Sequence, residues 1–139
     1  MKNKAPLALM EQLIMLTVFA LAAALCLQIF AFSGQISRSL ETRDRAVTAV
    51  QNTAESIKIA GGDLKKHAAF FGGDTDGSSW QIAYNEAWEI TSSDEAVYYV
   101  TAQKNKNTVP LLGSADIHAA KRSGEILFEL TVAWQEEAP

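Results

Sequence analysis

A single cysteine, Cys26, stands among the 139 residues. One thiol builds neither an intrachain disulfide framework nor a cysteine-based metal site, and cysteine usage therefore points to no redox compartment. Histidine is almost as scarce, with only His67 and His118. Neither has a nucleophile and an acid at a recognisable spacing, so both read as surface residues rather than parts of a catalytic set. Basic charge is short as well: 12 Lys and Arg face 16 Asp and Glu, for a net −4. Without Lys2, Lys4 and Glu11, the chain from Ser33 onward carries 10 basic and 15 acidic residues. Clustered basic residues are the footprint of nucleic-acid binding, and an acidic domain lacks it. There is no phosphate-cradling glycine loop, internal repeat or low-complexity segment. The expectation is a non-enzyme without cofactor or nucleic-acid partner.

Charge disappears altogether from Gln12 to Ser37. Within that stretch, the clearly polar members of Leu13 to Phe32 are Thr17 and Gln28. Twenty helical residues rise about 30 Å, the thickness of a bilayer's hydrocarbon core. A domain this small cannot cover a helix that is apolar on every side, so the segment reads as a membrane span rather than a core helix. A cleaved secretory signal is the sharper rival, with Lys2 and Lys4 as its basic region and Ala31-Phe32-Ser33 as its cut site. The apolar run exceeds the usual ~7–15 residues of such signals, and Glu11 interrupts the approach to it. A lipoprotein cut before Cys26 requires a small residue where Leu25 stands. Retention as an anchor is therefore expected. Lys2 and Lys4 before the span and Arg38, Arg43 and Arg45 after it do not decide orientation by count. The acidic bulk beyond the span favours a cytoplasmic N-terminus and an extracytoplasmic C-terminal domain.

Beyond the span, Ile36, Leu40, Val47, Val50, Ala54 and Ile57 recur at helical spacing, with Arg43 in the one slot that is not apolar. Arg38, Glu41, Asp44, Arg45, Asn52 and Glu55 take the opposite face, where pairs such as Glu41 with Arg45 can form. The apolar stripe is expected to be the core face of a domain. Gly61-Gly62 stops the helix, since paired glycines disfavour continuation and suit a C-terminal cap. A helix from Pro6 to this point would be ~80 Å long. "DLKKHAAFF", 63–71, reads as a short second helix closed by Gly72-Gly73. The remainder is β: Trp80, Ile82 and Tyr84 alternate with polar or small residues, and Trp88 with Ile90 suggests a further short strand. Strand formers cluster at Val97 to Ala102. Ala115, Ile117 and Ala119 alternate with Asp116, His118 and Ala120, and Ile126, Phe128, Leu130, Val132 and Trp134 repeat at period two. Ser123-Gly124 suits a hairpin turn between these last two.

The expected fold is α+β, one long helix packed on three to five antiparallel strands. Its segments are 1–6, a basic leader-like piece; 7–33, the spanning half of the helix; 34–60, its amphipathic half; 61–78, a short helix and loops; and 79–139, the sheet domain. In "GGDTDGSS", Asp74 and Asp76 beside Gly77 are the one candidate for Ca²⁺. The loop lacks the D-x-D-x-D-G spacing and a downstream glutamate, so a plain turn is expected there. Trp80, Trp88 and Trp134 read as core aromatics, and the terminal "EEAP" as a frayed acidic end.

The leader "MKNKAP", the following "LALMEQLIMLTVFALAAALCLQ" and the helix-then-sheet order together resemble the type IV pilin-like proteins, which include the pseudopilins of type II secretion and competence systems. The architecture of that group matches nearly the whole length, its specific motif only about the first 30 residues. The resemblance implies a structural subunit of an envelope filament or of a secretion or DNA-uptake machine. It also implies other copies or related subunits as partners, together with a prepilin peptidase and an assembly platform. It places Glu11 at the fifth mature position with a role in assembly, and the leader cut between Pro6 and Leu7. Proline stands at Pro6 where the family usually has glycine. The alternative from another class is a single-pass membrane protein whose small extracytoplasmic domain binds or senses and never polymerises. A third is a secreted domain released after Ser33.

Overall fold

The computed structural model describes residues 4–106 and 109–136. Its first element, α1, is a 56-residue helix, Lys4–Ile59. Pro6 lies in the first turn, where its missing N–H would have had no helical partner. Lys4, Ala5 and Pro6 thus belong to α1, while Lys2 lies outside the described residues. The chain divides into two compact units between Glu41 and Thr42, inside α1.

In the first unit, every described residue is exposed helix. Its most apolar 18-residue window has no buried residue, and by length and composition the helix is able to cross a membrane.

The second unit is an α+β domain built on the last turns of α1. There Ala46, Val50, Thr53, Ala54 and Ile57 are buried. Val50, Ala54 and Ile57 follow the expected stripe, whereas its N-terminal part does not reach the core. Ile36 and Leu40 are 44% and 55% exposed, and Val47 is only half-buried. Thr53 enters the core because its hydroxyl donates to the Ala49 carbonyl at 2.8 Å, which removes the cost of burying it. At the end of α1, the Gly61 and Gly62 N–H groups donate to the Lys58 and Ile57 carbonyls. Asp63 caps the next helix, α2 (Leu64–Phe71), accepting from the backbone N–H groups of Lys65 and Lys66.

Five strands follow: β1 (Asp74–Thr75), β2 (Ser79–Tyr84), β3 (Tyr98–Lys104), β4 (Leu112–Lys121) and β5 (Ile126–Gln135). They form one antiparallel sheet in sequence order. β1 falls within 61–78, which was expected to hold only a short helix and loops. Cross-strand register stacks Trp80, Ile82 and Tyr84 opposite Ala102, Val100 and Tyr98 on one face. That face continues through Ala119, Ile117 and Ala115 to Val132 and Trp134, and it carries the core shared with α1 and α2. Gln81, Thr101, Gln103, Asp116, His118, Glu129 and Thr131 take the opposite face. The β4–β5 turn follows the expectation at Gly124, whose φ is 97°. A bulge at Ala119/Ala120 shifts the register nearby.

The strand expected around Trp88 and Ile90 is reduced to one isolated bridge, Tyr84 to Ile90. Asn85 competes for the backbone there: its side-chain oxygen accepts from the N–H groups of Ala87 and Glu89. Trp88 adopts φ 61° and lays its ring on Tyr98, with centroids 4.2 Å apart and planes 10° from parallel.

Candidate functional site

Two places on the chain carry chemistry, one in each unit. On α1, Glu11 is exposed amid Leu7, Met10 and Ile14, themselves 66%, 63% and 60% exposed. With Lys4 and Ala8 these residues border a shallow open trough on the helix surface. Lys4 and Glu11 are seven residues apart and so share a face. Glu11 has no partner among the described residues. Leu7 and Pro6, the positions flanking the expected cut, are both helical. Thr17 satisfies its hydroxyl by donating to the Leu13 carbonyl at 2.8 Å, so it presents no unpaired donor on the apolar surface. Cys26 is an exposed free thiol in the same stretch.

A lone carboxylate on an apolar helix is a directional feature. In hydrocarbon it costs about 2.5–3.5 kcal/mol, less near the headgroups. A positive group from another chain offsets that cost at one axial offset only. Opposite charges ~4 Å apart attract by ~4 kcal/mol at an effective dielectric near 20, before desolvation is subtracted.

In the second unit, a half-open hollow of about 410 Å³ lies at the β1 edge, with Gly73, Asp74, Gln81, Ile90, Ser92 and Tyr99 in its wall. The Tyr99 hydroxyl donates to the Ser93 carbonyl at 3.1 Å and so braces the loop that forms one side. Sequence reasoning missed this hollow because Trp88 and Ile90, within the loop over residues 85–97, read as a short strand.

Asp74 and Asp76 serve different ends. Asp74 pairs with Gln81 across the β1–β2 ladder. Asp76 turns the hairpin: its Oδ1 accepts from the Ser78 and Ser79 N–H groups, both at 2.8 Å, and from the Ser78 hydroxyl at 2.9 Å. The Ser79 and Ser78 N–H groups, with the hydroxyl, hold the Asp76 carboxyl down to about 2. No group of three or more metal-ligating side chains occurs among the described residues. Asp116, on the outer face of the sheet, is likewise lowered, first by the Thr131 hydroxyl and then by Asn105. The Thr131 bond to it measures 2.7 Å.

His67 corrects the expectation of a surface histidine. It is 1% exposed, wedged between Phe71 and Trp80 at centroid distances of 5.2 and 4.5 Å. Its Nδ1 lies 2.8 Å from the Ser56 hydroxyl of α1, and its Nε2 is buried without a partner. Burial pushes its pKa below the usual histidine value. The signal was present in the sequence: Leu64, His67, Ala68 and Phe71 stand at i, i+3, i+4 and i+7, the positions of one helix face. His118, by contrast, sits half-exposed on β4 opposite Glu129. Trp80 and Trp134 are buried and Trp88 half-buried, and the Trp80 indole N–H donates to the Gly72 carbonyl at 2.8 Å.

Comparison of the chain with protein-family models, with curated proteins and with solved structures yields no match in any of the three.

Proposed function

We propose that this chain is a membrane-anchored structural subunit of the pilin-like kind, a component of an envelope filament or of a secretion or DNA-uptake machine. One observation carries the reading. One helix, Lys4–Ile59, carries both Glu11 on an exposed apolar surface and Ala46, Val50, Ala54 and Ile57 in the core of a small sheet domain. A simple anchor has no need to be the structural element around which its head is built. In this reading the apolar part of α1 lies in the bilayer with the N-terminus cytoplasmic, and the sheet domain stands outside. A prepilin peptidase cuts between Pro6 and Leu7, and the new α-ammonium of one copy meets Glu11 of another. Small residues at Ala20, Ala22, Ala23, Ala24 and Ala31 allow close approach of neighbouring helices. The resemblance described above supports this assignment, and Pro6 is its departure.

The hollow at the β1 edge favours a second reading, a single-pass protein whose small extracytoplasmic domain binds a ligand and never polymerises. N-terminal sequencing of the protein recovered from membranes separates the two. A start at Leu7 is expected of the subunit. An intact Met1 speaks for the sensor, and a start at Gly34 for a released domain.

A further inference from the structure

We infer that the outward face of α2 on one copy docks against the acidic loop over residues 85–95 of a second copy, a head-to-tail contact between sheet domains. The inference rests on the subunit reading above. α2 buries Leu64 and His67 and leaves Lys65, Lys66, Ala69 and Phe70 exposed. Phe70 is 94% exposed, and neither lysine has an ion partner among the described residues. Phe70 and the two lysines together make an exposed face of mixed apolar and basic character.

The complement exists elsewhere on the same domain. In the loop, Glu86, Glu89, Asp94 and Glu95 are exposed around Ile90, itself 62% exposed. Glu89 and Glu95 accept only from neutral donors, Asn85 and Thr91, at 3.5 and 3.4 Å. One base stands close by: Arg122 donates to the Asp94 backbone carbonyl at 3.1 Å. The loop is held in place by the Thr91 N–H donating to the Ala83 carbonyl, by Tyr99 on Ser93 and by Trp88 on Tyr98.

The two patches flank the same edge of β2, where Gly73 after α2 and Ile90 of the loop wall one hollow. α2 packs its His67 and Phe71 rings on Trp80, whereas the loop leaves from Tyr84, four residues and about 13 Å along the strand. Each copy offers both halves of the contact, and a heterologous contact builds a ring or an open filament according to the rotation between copies. Charge selects the partner's orientation, because the acidic domains repel except where α2 meets the loop. A face of four side chains is too small to associate alone. It becomes effective when membrane helices already hold the copies together at high effective concentration.

The test uses the full chain in membranes with Cys26→Ser as background and two tagged copies, one Phe70→Cys and one Ile90→Cys, treated with a short bismaleimide. The expected product is the mixed dimer. Lys65→Glu with Lys66→Glu should lower its yield about tenfold, and adding Glu86→Lys with Glu89→Lys on the other copy should restore it. Far-UV circular dichroism confirms that these surface variants fold. If position 70 joins a different protein, or joins nothing while a separate chain that keeps Cys26 still forms the Cys26-linked dimer on oxidation, the docking inference is wrong and the subunit reading survives. Loss of crosslinks at both levels overturns both.

Discussion

Replacing Gly62 with alanine offers a quantitative test of how α1 is joined to the sheet. Gly62 has φ 83°, and a Cβ placed on it would fall 2.1–2.3 Å from three atoms of the Trp134 indole. That ring is 7% exposed and fixed from the other side by Gly113, where a Cβ would again fall 2.3 Å from the indole nitrogen. The indole has no free direction in which to yield. Overpacking of this sort costs about 1–3 kcal/mol, and the left-handed backbone adds about 1–2. The sum is about 2–5 kcal/mol. Gly61 supplies the internal control: its φ is 65°, but a Cβ there meets nothing within 4 Å. Gly61→Ala should therefore lose only the backbone share of about 1–2 kcal/mol. For a domain of about 100 residues each kcal/mol moves the melting midpoint by ~4–8 °C, so Gly62→Ala should melt upwards of ~8 °C lower, with Gly61→Ala losing distinctly less. All three tryptophans lie beyond Thr42, so fluorescence melts of detergent-solubilised protein report the sheet domain rather than the span. Equal losses for the two variants would refute the claim that the second glycine exists to admit Trp134.

Three further outcomes are expected. Ile57→Ala, at a fully buried site, should cost about 2–5 kcal/mol in the same melts, whereas Leu40→Ala should change them by less than about 0.5. His67 binds a proton less readily folded than unfolded, so its contribution is fully present above about pH 6.5 and lost as pH falls below it. Urea midpoints should drop on acidification in wild type and drop less in His67→Phe. The Asp76 carboxyl should titrate by NMR near 2. The stability that it supplies is present above its unfolded value of 3.8 and disappears as pH falls toward 2.

Most of the fold was legible in the sequence because its strongest signals are periodic. β4 and β5 alternate cleanly, and the turn between them is marked by glycine. What escaped detection was decided by single polar side chains. Thr53 looked polar but satisfies itself on Ala49 and so joins Val50, Ala54 and Ile57 in the buried face of α1, which does not extend to Ile36 and Leu40. Asn85 folds its side chain onto the backbone and converts an apparent strand into a loop, which in turn creates the hollow. His67 was counted as a surface residue by type, although its helical spacing placed it inward. Glu11 stands out in the sequence as a charge amid an apolar run, and the structure leaves it exposed on that helix surface. The exposed faces of α2 and the 85–95 loop were not legible, since exposure is set by tertiary packing. Of the acidic tail, residues 137–139 lie outside the described residues.

At the centre stands the proposal that Glu11 pairs with a positive group on another copy within the membrane. Site-specific photocrosslinking along the first turns of α1 in native membranes, comparing wild type with Glu11→Ala at matched abundance, tests it most directly. Wild type should give a ladder of linked copies, and the variant should insert equally well but yield about a tenth of the linked product or less. An identical ladder from both would mean that Glu11 only marks the headgroup boundary.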